Sequence, residues 1–178
     1  AMIFGLLKPG DEVLLERSCH QSVFQALGLR GLKPRFIKPQ LDEEWALPLP
    51  PALTDIKEAY EKYPFLKAVI LTSPNYYGKV APLEEISQFL KMRGLYLIVD
   101  EAHGAHFAFS DKLPPTAVSM GAHVSTVSFH KTFPVLTQGA VVNLSPDLQE
   151  SERSRIRHYL RVFQTSSPSY TMLASMEN

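Results

Sequence analysis

The stretch Leu95-Tyr96-Leu97-Ile98-Val99-Asp100-Glu101-Ala102-His103 runs five apolar residues straight into two acids and a histidine. An unbroken apolar run of this length, set off by Gly94, predicts a buried strand. A second such run, Lys67–Leu71 (KAVIL), lies upstream and closes in the turn Ser73-Pro74-Asn75-Tyr76-Tyr77-Gly78. Between the two runs a helix is predicted from Pro82 to Arg93, since proline suits a first helical turn. Strand, helix and strand at such short intervals point to an α/β fold with a largely parallel sheet.

The same pattern continues outward. Shorter strands are predicted at Glu12–Glu16, Arg35–Lys38, Val124–Ser128 and Ala140–Leu144. The opening residues Ala1–Leu7 read as the tail of a helix, and no run approaches the roughly 18–20 apolar residues of a membrane span. A helix from about Cys19 to Leu29, capped by Ser18, puts Val23, Phe24 and Leu27 on one face. Leu41–Pro51 holds three of the fourteen prolines and the only tryptophan, so it is a loop, and Thr54–Lys62 is helical after it. Asp147–Phe163 reads as an amphipathic helix with Leu148, Ile156, Leu160 and Phe163 turned inward.

With 178 residues, 45% of them apolar, the chain suits one domain with one core. Eighteen basic and eighteen acidic residues balance, which leaves no overall field to draw nucleic acid or anionic lipid. The single cysteine, Cys19, cannot form an internal disulfide, so a cytoplasmic setting is expected.

Ligands of open α/β sheets bind beyond the carboxyl ends of the strands. Three polar segments fall there: Ser73–Gly78, Asp100–His106 and Ser128–Lys131. Asp100 alone reads equally well as a turn or capping residue. A lone lysine is ordinarily a solvated one, but Lys131 sits in Ser128-Phe129-His130-Lys131-Thr132, directly after a predicted strand. Desolvation and neighbouring positive charge depress an amine's pKa, as a Schiff-base lysine requires, and hydroxyls and imidazole suit a phosphate.

Six segments in order resemble the major domain of the ornithine/lysine/arginine decarboxylase family, whose members are fold-type I pyridoxal 5′-phosphate (PLP) enzymes. They are Pro9–Val23 (PGDEVLLERSCHQSV), Thr72–Gly78 (TSPNYYG), Val99–Phe107 (VDEAHGAHF), Ser128–Thr132 (SFHKT), Leu136–Ala140 (LTQGA) and Gln164–Met176 (QTSSPSYTMLASM). The resemblance implies a three-layer α/β/α domain with a mostly parallel sheet, incomplete over residues 1–178. The family's main phosphate loop would precede Ala1 and its small domain would follow Asn178, so this stretch by itself is expected to hold the cofactor weakly or not at all. The resemblance also implies roles. Lys131 would carry the cofactor as a Schiff base, and Asp100 would pair with the pyridine nitrogen. His20 would stack on one ring face and Ala102 pack on the other, with His103 near ring and substrate. Ser128 and His130 would contact the phosphate. Thr165 or Ser166 would reach a phosphate in a neighbouring subunit, since the family builds its sites between two copies, as a homodimer or higher homo-oligomer. The expected reaction is decarboxylation of lysine, arginine or ornithine. Phe129 departs from the family, which more often has a small polar residue there.

The plainer readings remain beside these. His20 would otherwise be a half-buried residue at a helix start, Ala102 core packing, and Thr165 and Ser166 capping residues before Pro168. LIVDEAH also resembles the acidic strand of a helicase, but that needs a G-x-x-x-x-G-K-[ST] loop, which the sequence lacks. His103 and His106 with Asp100 or Glu101 have metal-ligand chemistry, yet Gly104 spoils a rigid helical display, and no metal is expected. The cluster Arg153, Arg155, Arg157, His158 and Arg161 is offset by Glu150 and Glu152 and reads as a solvated helix face. An aminotransferase, aldolase or desulfurase would share the Asp100 and Lys131 logic, and an inactive fragment is the remaining alternative.

Overall fold

The computed structural model describes residues 1–177. Six strands form one sheet in the order β2-β1-β3-β4-β5-β6: β1 is Glu12–Glu16, β2 Lys33–Ile37, β3 Leu66–Thr72, β4 Tyr96–Asp100, β5 Val124–Ser128 and β6 Ala140–Leu144. The first five run parallel, and β6 returns antiparallel to β5. The helices are α1 (Met2–Leu6), α2 (Gln21–Arg30), α3 (Leu53–Lys62), α4 (Leu83–Lys91), α5 (Glu150–Phe163) and α6 (Tyr170–Glu177).

Successive strand residues point to opposite faces, and both faces are covered. Leu14, Val69, Leu71, Leu97 and Val99 meet Ile56 of α3 and Ile86 and Leu90 of α4. Val13, Leu15, Ala68, Ile70 and Ile98 meet Leu6 of α1, Val23 and Leu27 of α2 and Ile156 of α5. That double burial is why the strand sequences read as continuous apolar runs. The fold is the α/β arrangement with a mostly parallel sheet that the strand and helix pattern predicts, in the three layers that the family resemblance implies.

Several boundaries move. The cap of α2 is His20, whose Nδ1 accepts the Ser22 N–H at 3.2 Å, while the expected cap Ser18 donates to Glu16 at 2.7 Å. The imidazole takes over the role because the chain reaches the helix two residues later than its composition suggests. α5 starts at Glu150, where Glu152 closes a reciprocal pair of bonds with Gln149. Leu148 is buried ahead of it, and Phe163 stays half exposed, packed edge-on against Phe4 at 4.9 Å. Three of the α5 cations are not simply solvated. Arg153 donates to the carbonyls of Leu148 and Ser145, Arg155 donates to that of Gly5, and Arg157 pairs with Glu150. α6 is a helix that periodicity does not predict; it packs over the loop before β6, where Leu136 N–H donates to Ser175 Oγ and Met176 lies against Gly139.

Candidate active site

Strand order reverses between β1 and β3, the switch point at which an α/β sheet opens a crevice beyond its strand ends. A cleft lies there. Ser18 and His20 border it after β1, Thr72 and Asn75 at the end of β3, Asp100 and Ala102 at the end of β4, and Lys131 after β5.

Each group is held by its own local structure. Asp100 ends β4 beside Thr72, its partner across the β3–β4 ladder, and its Oδ1 accepts the Ala102 N–H at 3.1 Å. Ala102 is buried, so its methyl forms part of the cleft floor. Lys131 closes a short 3-10 turn, Phe129–Lys131, and its Nζ stands 3.3 Å from His103 Nε2. Burial lowers the pKa of His103, the Lys131 charge lowers it further, and Asp100 opposes both. A neutral imidazole with its proton on Nδ1 would present Nε2 as an acceptor to Lys131 Nζ. The ring of His103 is braced edge-on by Tyr76, at 5.9 Å between centroids.

Of the residues singled out in the sequence, His20, Asp100, Ala102, His103 and Lys131 come together around this cleft. Ser128 ends β5 opposite Ala140, and His130 pairs its Nδ1 with the Gly139 carbonyl at 3.0 Å. Neither borders the cleft. Thr165 and Ser166 are exposed between α5 and α6, where the Thr165 hydroxyl turns back on Ser167. Phe129 takes part in an aromatic cluster with Phe133 and, through it, Phe109, which accounts for a large ring in a place where a small polar residue was expected. His106 packs on Phe107 in the 3-10 helix Ala105–Phe109 and points its Nδ1 into a buried position.

Sequence reasoning placed the turn Ser73–Gly78 at this edge without singling out a residue of it, and it missed the wall supplied by Pro48. Asn75 is 8% exposed; its Oδ1 accepts the N–H groups of Tyr77 and Lys79, and its Nδ2 donates to the Pro48 carbonyl. An Asn-x-x-Gly turn after a buried strand carried that signal, because Asn side chains stand in for backbone acceptors in turns. Glu16 was also missed. It is buried beneath the cleft, accepts Thr72 N–H and Ser18 Oγ at 2.7 Å each, and so ties β1 to β3 across the switch point. Burial raises its pKa, against the pull of those two hydrogen bonds, and Asp100 adds a smaller push upward.

Residues 1–178 match the family model described as Orn/Lys/Arg decarboxylase, major domain. A Bacillus subtilis relative named "Uncharacterized protein YaaO" is 42% identical over 177 residues, covering 99% of this chain and 37% of the relative. A B. subtilis arginine decarboxylase is 32% identical over 176 residues, covering 99% of this chain and 36% of the enzyme. The chain thus spans a little over a third of the curated relatives it matches. Among solved structures, the constitutive lysine decarboxylase of E. coli superposes with a TM-score of 0.75 at 21% identity, over 99% of this chain and 26% of that one.

Proposed function

The chain belongs to the Orn/Lys/Arg decarboxylase family, matching its major domain, and from that footing we propose that it holds pyridoxal 5′-phosphate and decarboxylates a basic amino acid. The observation that carries the reading is the meeting of Lys131, Asp100 and Ala102 around one cleft at the sheet's switch point.

These side chains fit the ring and aldehyde half of the cofactor. Lys131 is the amine within the cleft that can hold the aldehyde carbon. Asp100 has Oδ1 engaged by backbone, which leaves Oδ2 for a protonated ring nitrogen. His20 and the small Ala102 border the same space and suit the two faces of a flat ring. Ser128 and His130 lie outside the cleft at the β5 end beside Lys131, and the phosphate would have to extend past Lys131 to reach them. Bound there, the group would draw off the electron pair that departing carbon dioxide leaves on the substrate's α-carbon. Asp100 then keeps the proton on the ring nitrogen, since an adjacent carboxylate raises the pKa of a cation. Lys131 and neutral His103 form a donor–acceptor pair through which a proton can return to the α-carbon.

The arginine decarboxylases at 32% identity make arginine the first substrate to test. The exposed mouth of the cleft, with Tyr76 81% exposed and Lys131 open, supports closure by a second copy in a homodimer. Thr165 or Ser166 would then serve the neighbouring site. The buried free thiol Cys19 supports a cytoplasmic setting.

The test uses the full-length protein. Borohydride reduction in the presence of PLP should fix the cofactor to the peptide containing Lys131, and arginine, lysine or ornithine should release carbon dioxide and the matching amine. Labelling elsewhere, or no carbon dioxide from any of the three, overturns the reading. Sedimentation gives the oligomeric state independently.

A further inference from the structure

Glu101 follows Asp100 directly, yet its side chain points to the opposite face of the sheet and lies outside the cleft. It is 1% exposed. Its backbone N–H donates to Thr126 O on β5 at 2.9 Å, and its carbonyl accepts the Gly104 N–H at 2.8 Å. Its Oε1 accepts the Ala117 N–H at 2.8 Å, closing the whole excursion from 101 to 117. Gly104 sits so tightly over it that an added Cβ would come within 2.8 Å of Glu101 Cγ. Burial raises the pKa of this carboxyl, opposed by the Ala117 N–H and the nearby Ser125 hydroxyl. Its Oε2 is buried and makes no hydrogen bond of ordinary geometry among the described residues, with the Ser125 hydroxyl close by.

We propose that Glu101 is a positioning residue: its buried carboxyl ties the turn bearing Ala102 and His103 to Ala117, and so sets those two residues against the cofactor cleft. Three bonds converge on the one residue that separates Asp100 from Ala102, one each from β5, the turn at Gly104 and the end of the excursion. Each fixes the backbone from which the floor methyl and the Lys131-contacting imidazole project. The inference rests on the proposed cofactor binding.

The experiment compares full-length wild type with Glu101→Gln, Glu101→Met and Glu101→Asp. Readouts are PLP affinity by absorbance titration, the His103 titration by NMR, and the urea midpoint. Gln keeps an oxygen for the Ala117 N–H and should keep wild-type affinity. Met fills the space without an acceptor, and Asp falls a methylene short of Ala117. Both should weaken PLP binding by about tenfold to a hundredfold, the range seen when a residue that orients ligand-holding side chains is lost. In both, His103 should titrate nearer its ordinary value, whatever the urea midpoint does. If the Met variant does not fold, the Asp variant decides. Wild-type affinity with an unchanged His103 titration in the folded Met or Asp variant overturns the inference. So does a Gln variant that loses affinity as they do. Failure of wild type to bind PLP would instead sink the proposed function.

Discussion

Neighbouring residues at the end of β4 divide the labour by the alternation of the pleat. Asp100 faces the cleft, and Glu101 faces away toward Ala117. Ala102 then contributes only a methyl to the floor. Ala102→Leu should cost only about 1–3 kcal/mol of stability by urea unfolding, the ordinary cost of overpacking, while largely abolishing PLP absorbance. Retained absorbance would count against Ala102 as a ring contact. His103 supplies a pH signature. Burial and the Lys131 charge lower its pKa, so the neutral form persists below the usual imidazole range. The acid limb of kcat/KM should therefore lie below about pH 6.5, and it should vanish in His103→Gln. The residues legible in the sequence were those whose chemistry is odd for their position, Asp100 and Lys131 above all. Glu16 escaped notice, and Glu101 entered only as a possible metal ligand, because nothing in the sequence separates a buried acid from a surface one.

Elements were legible wherever burial was complete. β3 and β4 stand out as apolar runs because helices cover both their faces. The helix starts were harder to place, since His20 caps α2 through its ring nitrogen in a role usually given to a hydroxyl or an amide. α6 has buried no residue fully, and a helix without an apolar stripe leaves no periodic trace. Two contacts between elements carry testable energies. Gly5 of α1 lies against α5 so closely that a Cβ would come within 2.5 Å of Ile156 Cγ1 and 2.8 Å of its Cα. Gly5→Ala should cost about 1–3 kcal/mol by urea unfolding, and a neutral result would mean that the two helices can part. Asn75→Ala strips acceptors from Tyr77 and Lys79 and a donor from Pro48. It should cost about 1–3 kcal/mol for each group left buried and unpaired, read as a lowered urea midpoint.

Across the whole molecule, the buried titratable groups pull stability in opposite directions. Glu16 and Glu101 have raised pKa values, chiefly through burial. The folded state then binds protons more tightly than the unfolded chain, so their contribution is present in acid and fades as pH rises through their folded values. His103 and His123 have lowered values, again chiefly through burial. Their contribution is present above about pH 6.5 and is lost as pH falls through the folded values. Glu101→Gln should therefore gain urea resistance relative to wild type at neutral pH and show less gain near pH 4.5. An equal shift at both pH values would mean that Glu101 titrates alike in the folded and unfolded chain. The architecture as a whole was readable because one rule, apolar strands between helical layers, governs its centre. The rim of the cleft was legible only in part: the turn with Tyr76 and Tyr77 falls at the strand ends, but Pro48 joins it only after the chain has folded.

The reversed direction of β6 has a consequence for where the chain finishes. Ala140 lies level with Ser128 at the cleft end of the sheet, and Leu144 lies level with Val124 at the far end. The chain thus leaves the sheet at the far end, where Glu152 meets Tyr96 at the start of β4. α5 must then climb the full height of the domain, and α6 arrives back over Leu136 and Gly139. Had the last strand kept the common direction, the parity of the path would be inverted, and residues 165–177 would emerge at the opposite pole from Lys131.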